Sequence, residues 1–251
     1  MSLKKIICLP DIHAPLHDET ALSVALNIVK GEKPNTLIVM GDLVDFQSIS
    51  RFAKRDWQEA ALTADKEIAS ANSILDRIDK VTPKTATKVY LEGNHEKRLQ
   101  LFFVQNTQKL GGSFAGISIE DQLNLDKRGY EDYVRTASQP YKIGEVGFIH
   151  GWFVNKYHAN KTVLQGAQNL IYAHTHDHQT YTGVHLERDA PRLAMSLGCL
   201  CRSDQPYLES RPNNWIHGVG IIYVDDNGLF WANFIPIIHG KAVVNGKVYK
   251  A

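Results

Sequence analysis

Short apolar runs divided by amphipathic stretches constrain this chain most. Residues 6–9, 36–40 and 88–91 are apolar runs of strand length, suited to burial in a sheet. Helical periodicity lies between them. Residues 18–30 place Leu22, Ala25, Leu26 and Val29 on one face, with Gly31 as a stop. Residues 55–80 carry Trp57, Ala61, Ala64, Ile68, Ala71, Leu75 and Ile78, a stripe of about seven helical turns. Residues 96–110 read as a third helix, closed by Gly111 and Gly112. The second half changes character. Residues 146–149 and 170–173 read as strands around a helix near 162–168, and strand signals then dominate over 179–186, 192–197, 218–224 and 229–235. Asp226-Asn227-Gly228 and Asn245-Gly246 are hairpin turns. Alternating helix and strand followed by mostly strand predicts an α/β fold, with two sheets packed as a sandwich rather than one doubly wound sheet. Residues 111–145 fit neither period and read as an insertion or partial cap over a site.

The 251 residues are within reach of one domain, 1–251. With 28 basic and 27 acidic residues the net charge is +1, which argues against attachment to DNA or membrane by bulk charge. No apolar run approaches the ~20 residues of a spanning helix. The opening apolar stretch stops at Pro10 and Asp11, too soon for a signal peptide. Cys8, Cys199 and Cys201 are the only cysteines, and reduced thiols in a cytoplasmic protein are the simple reading. Cys199 and Cys201 are expected as small buried residues on one side of a strand, with a metal or redox pair as the alternative.

Histidine is the unusual component, 11 in all. Five segments carry metal-ligand chemistry, each after a strand: Asp11-Ile12-His13, Gly41-Asp42-Leu43-Val44-Asp45, Gly93-Asn94-His95-Glu96, His150-Gly151 and His174-Thr175-His176. In α/β sheets ligands gather at the carboxyl ends of strands. Residues i and i+2 of an extended chain point the same way, so Asp11 with His13, and His174 with His176, can each grip one ion. Carboxylates, imidazoles and an amide oxygen suit Mn, Fe or Zn. Seven such ligands exceed one four-coordinate site and fit two metals sharing a carboxylate. Singly, each has a commonplace reading: a turn for Asp11, a helix cap for Asp42 or Asp45, a left-handed turn for Asn94, a buried structural histidine for His150. Jointly, the two-metal reading accounts for all of them.

In order, DIH, GDLVD, GNHE, IHG and AHTH resemble the signature of the calcineurin-like metallophosphoesterases: D-x-H, G-D-x-x-D, G-N-H-[DE], a lone H and G-H-x-H. The match runs from residue 11 to 176, with Ala173 in place of the usual Gly, and is nearest to small single-domain bacterial and phage members. The resemblance implies a four-layer α/β/β/α fold. It places Asp11, His13 and His176 on one divalent metal and Asn94, His150 and His174 on a second, with Asp42 bridging. Manganese is the leading metal, with iron, zinc or nickel as alternatives. His95 would sit beside the phosphate, with Asn94 also near substrate, and protonate the leaving oxygen or stabilise its charge. Asp45 would orient His95. Two such ions lower the pKa of a bridging water for in-line attack on phosphorus, and a general acid adds about 10²–10⁴-fold.

Arg98 either reaches a substrate phosphate or is a solvated helix charge. Phe46-Gln47 stand where Ser/Thr protein phosphatases of this type continue with Arg-Gly, and the metal-binding Tyr of purple acid phosphatases is absent near Asp45. The substrate is thus a phosphorylated small molecule, nucleotide or nucleic acid, with phosphatase and phosphodiesterase both open. A non-catalytic scaffold on the same fold is the reading from another class. His17, His158, His185, His217 and His239 match no motif and read as surface or structural. His178 gives HTHDH, one residue short of the metallo-β-lactamase pattern.

Overall fold

The computed structural model describes residues 2–50, 62–107, 118–135, 138–166, 168–184, 192–205, 208 and 211–251. Sheet 1 takes β1 (Leu3–Leu9), β2 (Thr36–Val39), β3 (Thr87–Leu91), β4 (Tyr130–Val134), β10 (Gly218–Asp225) and β11 (Phe230–Pro236) in the order β11-β10-β1-β2-β3-β4. Strands β1 to β4 are parallel, and β10 joins β1 antiparallel. Sheet 2 takes β5 (Tyr141–Ile143), β6 (Val146–Phe148), β7 (Asn169–Tyr172), β8 (Thr180–Gly183) and β9 (Arg192–Ser196) in the order β5-β6-β7-β9-β8. Here β6, β7 and β9 are parallel, with an antiparallel strand at each edge. A separate hairpin pairs β12 (Lys241–Val244) with β13 (Lys247–Lys250).

The period-2 alternation of β1 shows how the layers form. Ile6 and Cys8 face sheet 2, joining Ile38, Met40, Phe148, Ile171 and Leu197 in the core between the sheets. Ile7 and Leu9 face the other way, onto α1 (Glu19–Glu32) and α2 (Ala64–Val81), beside Leu22, Val29, Leu75 and Ile78. Beyond sheet 2, Ala159 and Val163 of α5 (His158–Gly166) pack on Leu170, Tyr172 and Ala194. The result is the expected α/β/β/α sandwich. Among the described residues the remaining α-helices are α3 (Glu96–Thr107) and the short α4 (Ile119–Gln122). No described helix is long and apolar enough to cross a membrane.

Several boundaries differ from the expectation. Asp18 is the cap of α1, accepting from the Ala21 amide at 2.7 Å. Gly31 does not stop that helix. It lies inside it, because the Tyr249 ring sits 2.6 Å from where a Cβ would be, and Lys33 ends the helix in the left-handed region instead. The second helix begins at Ala64 after an extended Thr63, and Trp57 and Ala61 lie outside the described residues. So do 108–112 at the end of the third helix, 185–186 of the predicted 179–186 strand, and His185. Within 111–145, β4 extends sheet 1 and β5 pairs with β6. Asn245 and Gly246 have φ of 49° and 79°, the pair of positive values a two-residue hairpin turn needs.

Candidate metal centre

All five segments sit where the sequence placed them, at the carboxyl ends of parallel strands. Asp11 and His13 follow β1, Asp42 follows β2, and Asn94 and His95 follow β3. From the second sheet, His150 follows β6, and His174 and His176 follow β7. The loops turn sharply there. Asp11, His13, Asp42, His174 and His176 have φ of 36°, 54°, 50°, 73° and 60°, a region non-glycine residues occupy at a cost of about 1–3 kcal/mol each. Left-handed turns aim these side chains back into the cleft between the sheets.

The donor atoms converge. Nε2 of His13 and Nε2 of His176 lie 3.2 Å apart. Asp11 Oδ1 faces both, at 3.8 and 3.3 Å, and makes no hydrogen bond. Its other oxygen accepts from the His174 amide at 2.9 Å. On the second side, His150 Nε2 is 3.0 Å from Asn94 Oδ1 and 3.3 Å from Asp42 Oδ2, and the His174 ring packs 4.9 Å from that of His150. Asp42 Oδ2 also stands 3.7 Å from His13 Nε2. Asp42, His150 and His174 form one group with ligand atoms within 4.8 Å of one another, and His13, Asp42 and His95 form another. A buried, unpaired carboxylate oxygen facing two imidazole nitrogens fits a cation, because all three atoms offer lone pairs to one point.

Residues 4–211 match the family model described as calcineurin-like phosphoesterase. The chain belongs to that family. It is a metal-dependent phosphoester hydrolase. Its relatives include the gene 54 protein of Mycobacterium phage D29, 22% identical over 263 residues, covering 98% of this chain and 99% of the relative. The gene 54 protein of Mycobacterium phage L5 is 23% identical over 271 residues, with 98% and 99% covered. Among solved structures, the chain is similar to the phosphoesterase Yfce from E. coli (14% identity, TM-score 0.40, 91% of this chain and 98% of that one). It is also similar to Vps29 of Chaetomium thermophilum (9% identity, TM-score 0.40, 93% and 97% covered).

Electrostatics in the phosphoesterase cleft favour cations. Burial opposes charge on every group here, yet the neighbouring histidines hold Asp11, Asp42 and Asp45 well below the usual carboxylate range. Against the same burial, the Asp11, Asp45 and Asp42 carboxylates hold His13 well above its ordinary value. Asp42 likewise pushes His150 up to about 9. Burial and the nearby His150 charge pull His174 down to about 4, and burial lowers His176. Without an ion, protons on His13 and His150 therefore balance the carboxylates, and a divalent cation held by these residues would have to displace them. Apparent affinity for Mn²⁺ should accordingly rise with pH up to about 9. The His150 proton contributes about tenfold per pH unit below that value, and the His13 proton, also held above its ordinary range, adds to the rise. Calorimetry in buffers of different ionisation enthalpy counts the released protons, and zero release would overturn the expectation.

Asp45 does more than the sequence assigned to it. Its Oδ1 contacts Nδ1 of His13 at 2.8 Å and Nδ1 of His95 at 3.1 Å, and its carbonyl oxygen accepts from His95 Nδ1 at 2.7 Å. Arg98 is half-buried rather than a fully solvated helix charge. One turn after His95, it donates to the Asp45 carbonyl at 2.9 Å and to His95 Nε2 at 2.8 Å. Both His95 nitrogens are thus engaged by protein groups, while His95 also stands with His13 and Asp42 in one group of potential metal donors. Cys199 and Cys201 are buried free thiols, as expected. Cys201 stands behind His176, 3.9 Å from Nδ1, and burial pushes its thiol up. His178 turns away, bonding the Ser196 carbonyl at 2.7 Å and stacking on Phe234. Of the remaining histidines, His17 pairs with Glu19 at 3.3 Å and His217 with the Cys201 carbonyl at 2.9 Å.

Three contributors were missed. Glu96, fully enclosed, accepts from the amides of Asp42 (2.9 Å), Leu43 (2.8 Å) and Gly93 (2.9 Å) and from the Tyr90 hydroxyl (2.8 Å). It ties the loop after β2 to the loop after β3. Its place in GNHE was the available signal. Glu67 of α2 holds the turn that follows GDLVD, accepting from the Gln47 amide at 2.7 Å and from Ser48. Nothing in an amphipathic helix marks such a residue beforehand. Trp215 packs edge-on against His176 with centroids 4.2 Å apart. It comes from the loop that precedes β10.

Proposed function

We propose that this phosphoesterase holds two divalent cations, manganese foremost, and hydrolyses the phosphoester of a phosphorylated small molecule. Asp11, His13 and His176 would hold one ion, Asn94, His150 and His174 the other, and Asp42 both. The observation that carries this reading is the position of Asp42 Oδ2, a single carboxylate oxygen 3.7 Å from His13 Nε2 and 3.3 Å from His150 Nε2. Bound divalent cations supply Lewis acidity at the phosphoryl oxygens and lower the pKa of water.

The chain's own groups would do the rest. Asp45 accepts from Nδ1 of His95, which fixes the tautomer and aims Nε2 at the cleft. Nε2 lies 3.7 Å from Asp42 Oδ2 and is the atom at which a proton for the leaving oxygen would be held. In the present arrangement Nε2 accepts from Arg98, so protonation there requires that contact to open. The guanidinium then remains beside the leaving oxygen as a fixed positive charge.

The cleft has a volume of about 250 Å³, with Val154 and Trp215 forming walls beside Asn94 and His95. Its modest volume, together with a net charge of only +1, supports a small phosphorylated molecule over a polynucleotide. The test compares p-nitrophenyl phosphate with bis-p-nitrophenyl phosphate in Mn²⁺, each with an Asp42→Asn control. Preference for the monoester is expected, together with loss of most turnover in Asp42→Asn. Preference for the diester would replace the phosphatase reading with a phosphodiesterase one. Turnover unchanged in Asp42→Asn would end the two-ion assignment.

A further inference from the structure

Beneath the last ligand loop lies a buried polar chain that no motif accounts for. His158, the first residue of α5, is 2% exposed. Its Nδ1 is 2.6 Å from the Tyr172 hydroxyl. Its Nε2 is 2.9 and 3.2 Å from the two carboxylate oxygens of Asp177. A carboxylate only accepts, so Nε2 carries the proton and Nδ1 accepts from the Tyr172 O–H. Tyr172 is the last residue of β7, two before His174, and Asp177 directly follows His176. One imidazole therefore spans both ends of the segment that carries both histidines.

Asp177 is tied further. Its Oδ2 accepts from Gln179 Nε2 and Asn214 Nδ2, each at 3.0 Å. Its carbonyl accepts from Ser196 Oγ at 2.9 Å and from the Gly198 amide at 3.1 Å. Between these anchors His174 and His176 both have positive φ, a conformation that persists only where its surroundings over-determine it. His158, Tyr172 and Asp177 themselves are not among the residues lining the cleft.

We infer that His158 is a positioning residue for the metal centre, a strut between Tyr172 and Asp177 that holds the His174–His176 loop in its ligating shape. The inference rests on the metal-centre reading above. Losing the strut should leave His174 and His176 free to relax toward ordinary backbone conformations, with their ring nitrogens no longer aimed at the Asp11 and Asp42 oxygens. Outer residues that orient metal ligands are worth about 10–100-fold in metal affinity when removed.

The experiment titrates Mn²⁺ into purified full-length wild type, His158→Ala and His158→Gln, following free Mn²⁺ by electron paramagnetic resonance. Far-UV circular dichroism confirms folding. A folded His158→Ala protein should bind at least one Mn²⁺ about 10–100-fold more weakly. His158→Gln, which can still donate to Asp177, should recover part of the loss. In the metal-free proteins, amide hydrogen exchange at residues 174–178 should be at least about tenfold faster in His158→Ala, a readout independent of any ion. Unchanged affinity and unchanged exchange in folded His158→Ala would overturn the inference while leaving the metal centre intact. Wild type that binds no Mn²⁺ would overturn both. If His158→Ala does not fold, Tyr172→Phe decides: it removes one hydroxyl and should speed exchange in the loop, and no change there would count against the strut.

Discussion

Substituting His95 by Asn should slow turnover by about 10²–10⁴-fold, the range for losing a general acid, while Mn²⁺ content and thermal midpoint stay near wild type. The separation follows from geometry. His95 donates through Nδ1 to Asp45 and meets Arg98 through Nε2, so an asparagine amide can keep the Asp45 contact but offers no titratable nitrogen to the leaving oxygen. The size of the loss should depend on the leaving group. An alkoxide needs a proton and p-nitrophenolate barely does, so alkyl phosphates should suffer more than p-nitrophenyl phosphate. Steady-state kinetics on both substrates, with metal analysis of the same samples, checks this. A loss below tenfold on the alkyl substrate would remove His95 from proton transfer, and an equal loss on both would assign it to stabilising charge.

Glu96→Leu should cost about 3–5 kcal/mol of folding stability, the penalty for breaking a buried charged network by removing one member. The carboxylate gathers four backbone amides and a tyrosine hydroxyl, and each donor left unsatisfied costs about 1–3 kcal/mol. The loss should fall in the midpoint of urea unfolding with little change in slope. Glu96→Gln should cost less, since one amide oxygen still accepts, but its NH₂ must face donors. Any folded Glu96 variant should also bind metal more weakly, because the Asp42 amide it holds belongs to the turn that aims the Asp42 carboxylate. A cost near zero for Glu96→Leu would mean that water replaces the carboxylate and the loop stands on its own.

Both the sandwich and the convergence of Asp11, His13, Asp42, Asn94, His150, His174 and His176 were legible because their determinants are local. Apolar runs mark buried strands, and the donor residues directly follow them, although Asp11, His13, His174 and His176 lie in left-handed turns rather than the extended chain that two-residue spacing assumes. What escaped depends on partners distant in the chain. Gly31 reads as a stop until Tyr249, far along the sequence, is seen to fill the space of its missing Cβ. His158 reads as an isolated histidine until Tyr172 and Asp177 close around it. Arg98 reads as either a phosphate contact or a solvated helix charge, and nothing local announces its hydrogen bonds to His95 and the Asp45 carbonyl. Residues 130–134 carry no clear alternation, since an edge strand needs only one row of backbone partners and its side chains are half wet.

The place of β10 in sheet 1 has a consequence for how a growing chain must assemble. It lies between β1 and β11, so the partner for one whole edge of residues 3–9 arrives at residues 218–225. At ribosomal speeds of about 5–20 residues per second, the roughly 200 residues between them take about 10–40 s to appear. In the last part of that interval, once His176 has been made, every candidate ligand is present in the chain while β1 still presents open amides and carbonyls along one edge to any passing extended chain. The nascent protein thus owns its chemistry well before it can close the sheet that supports it.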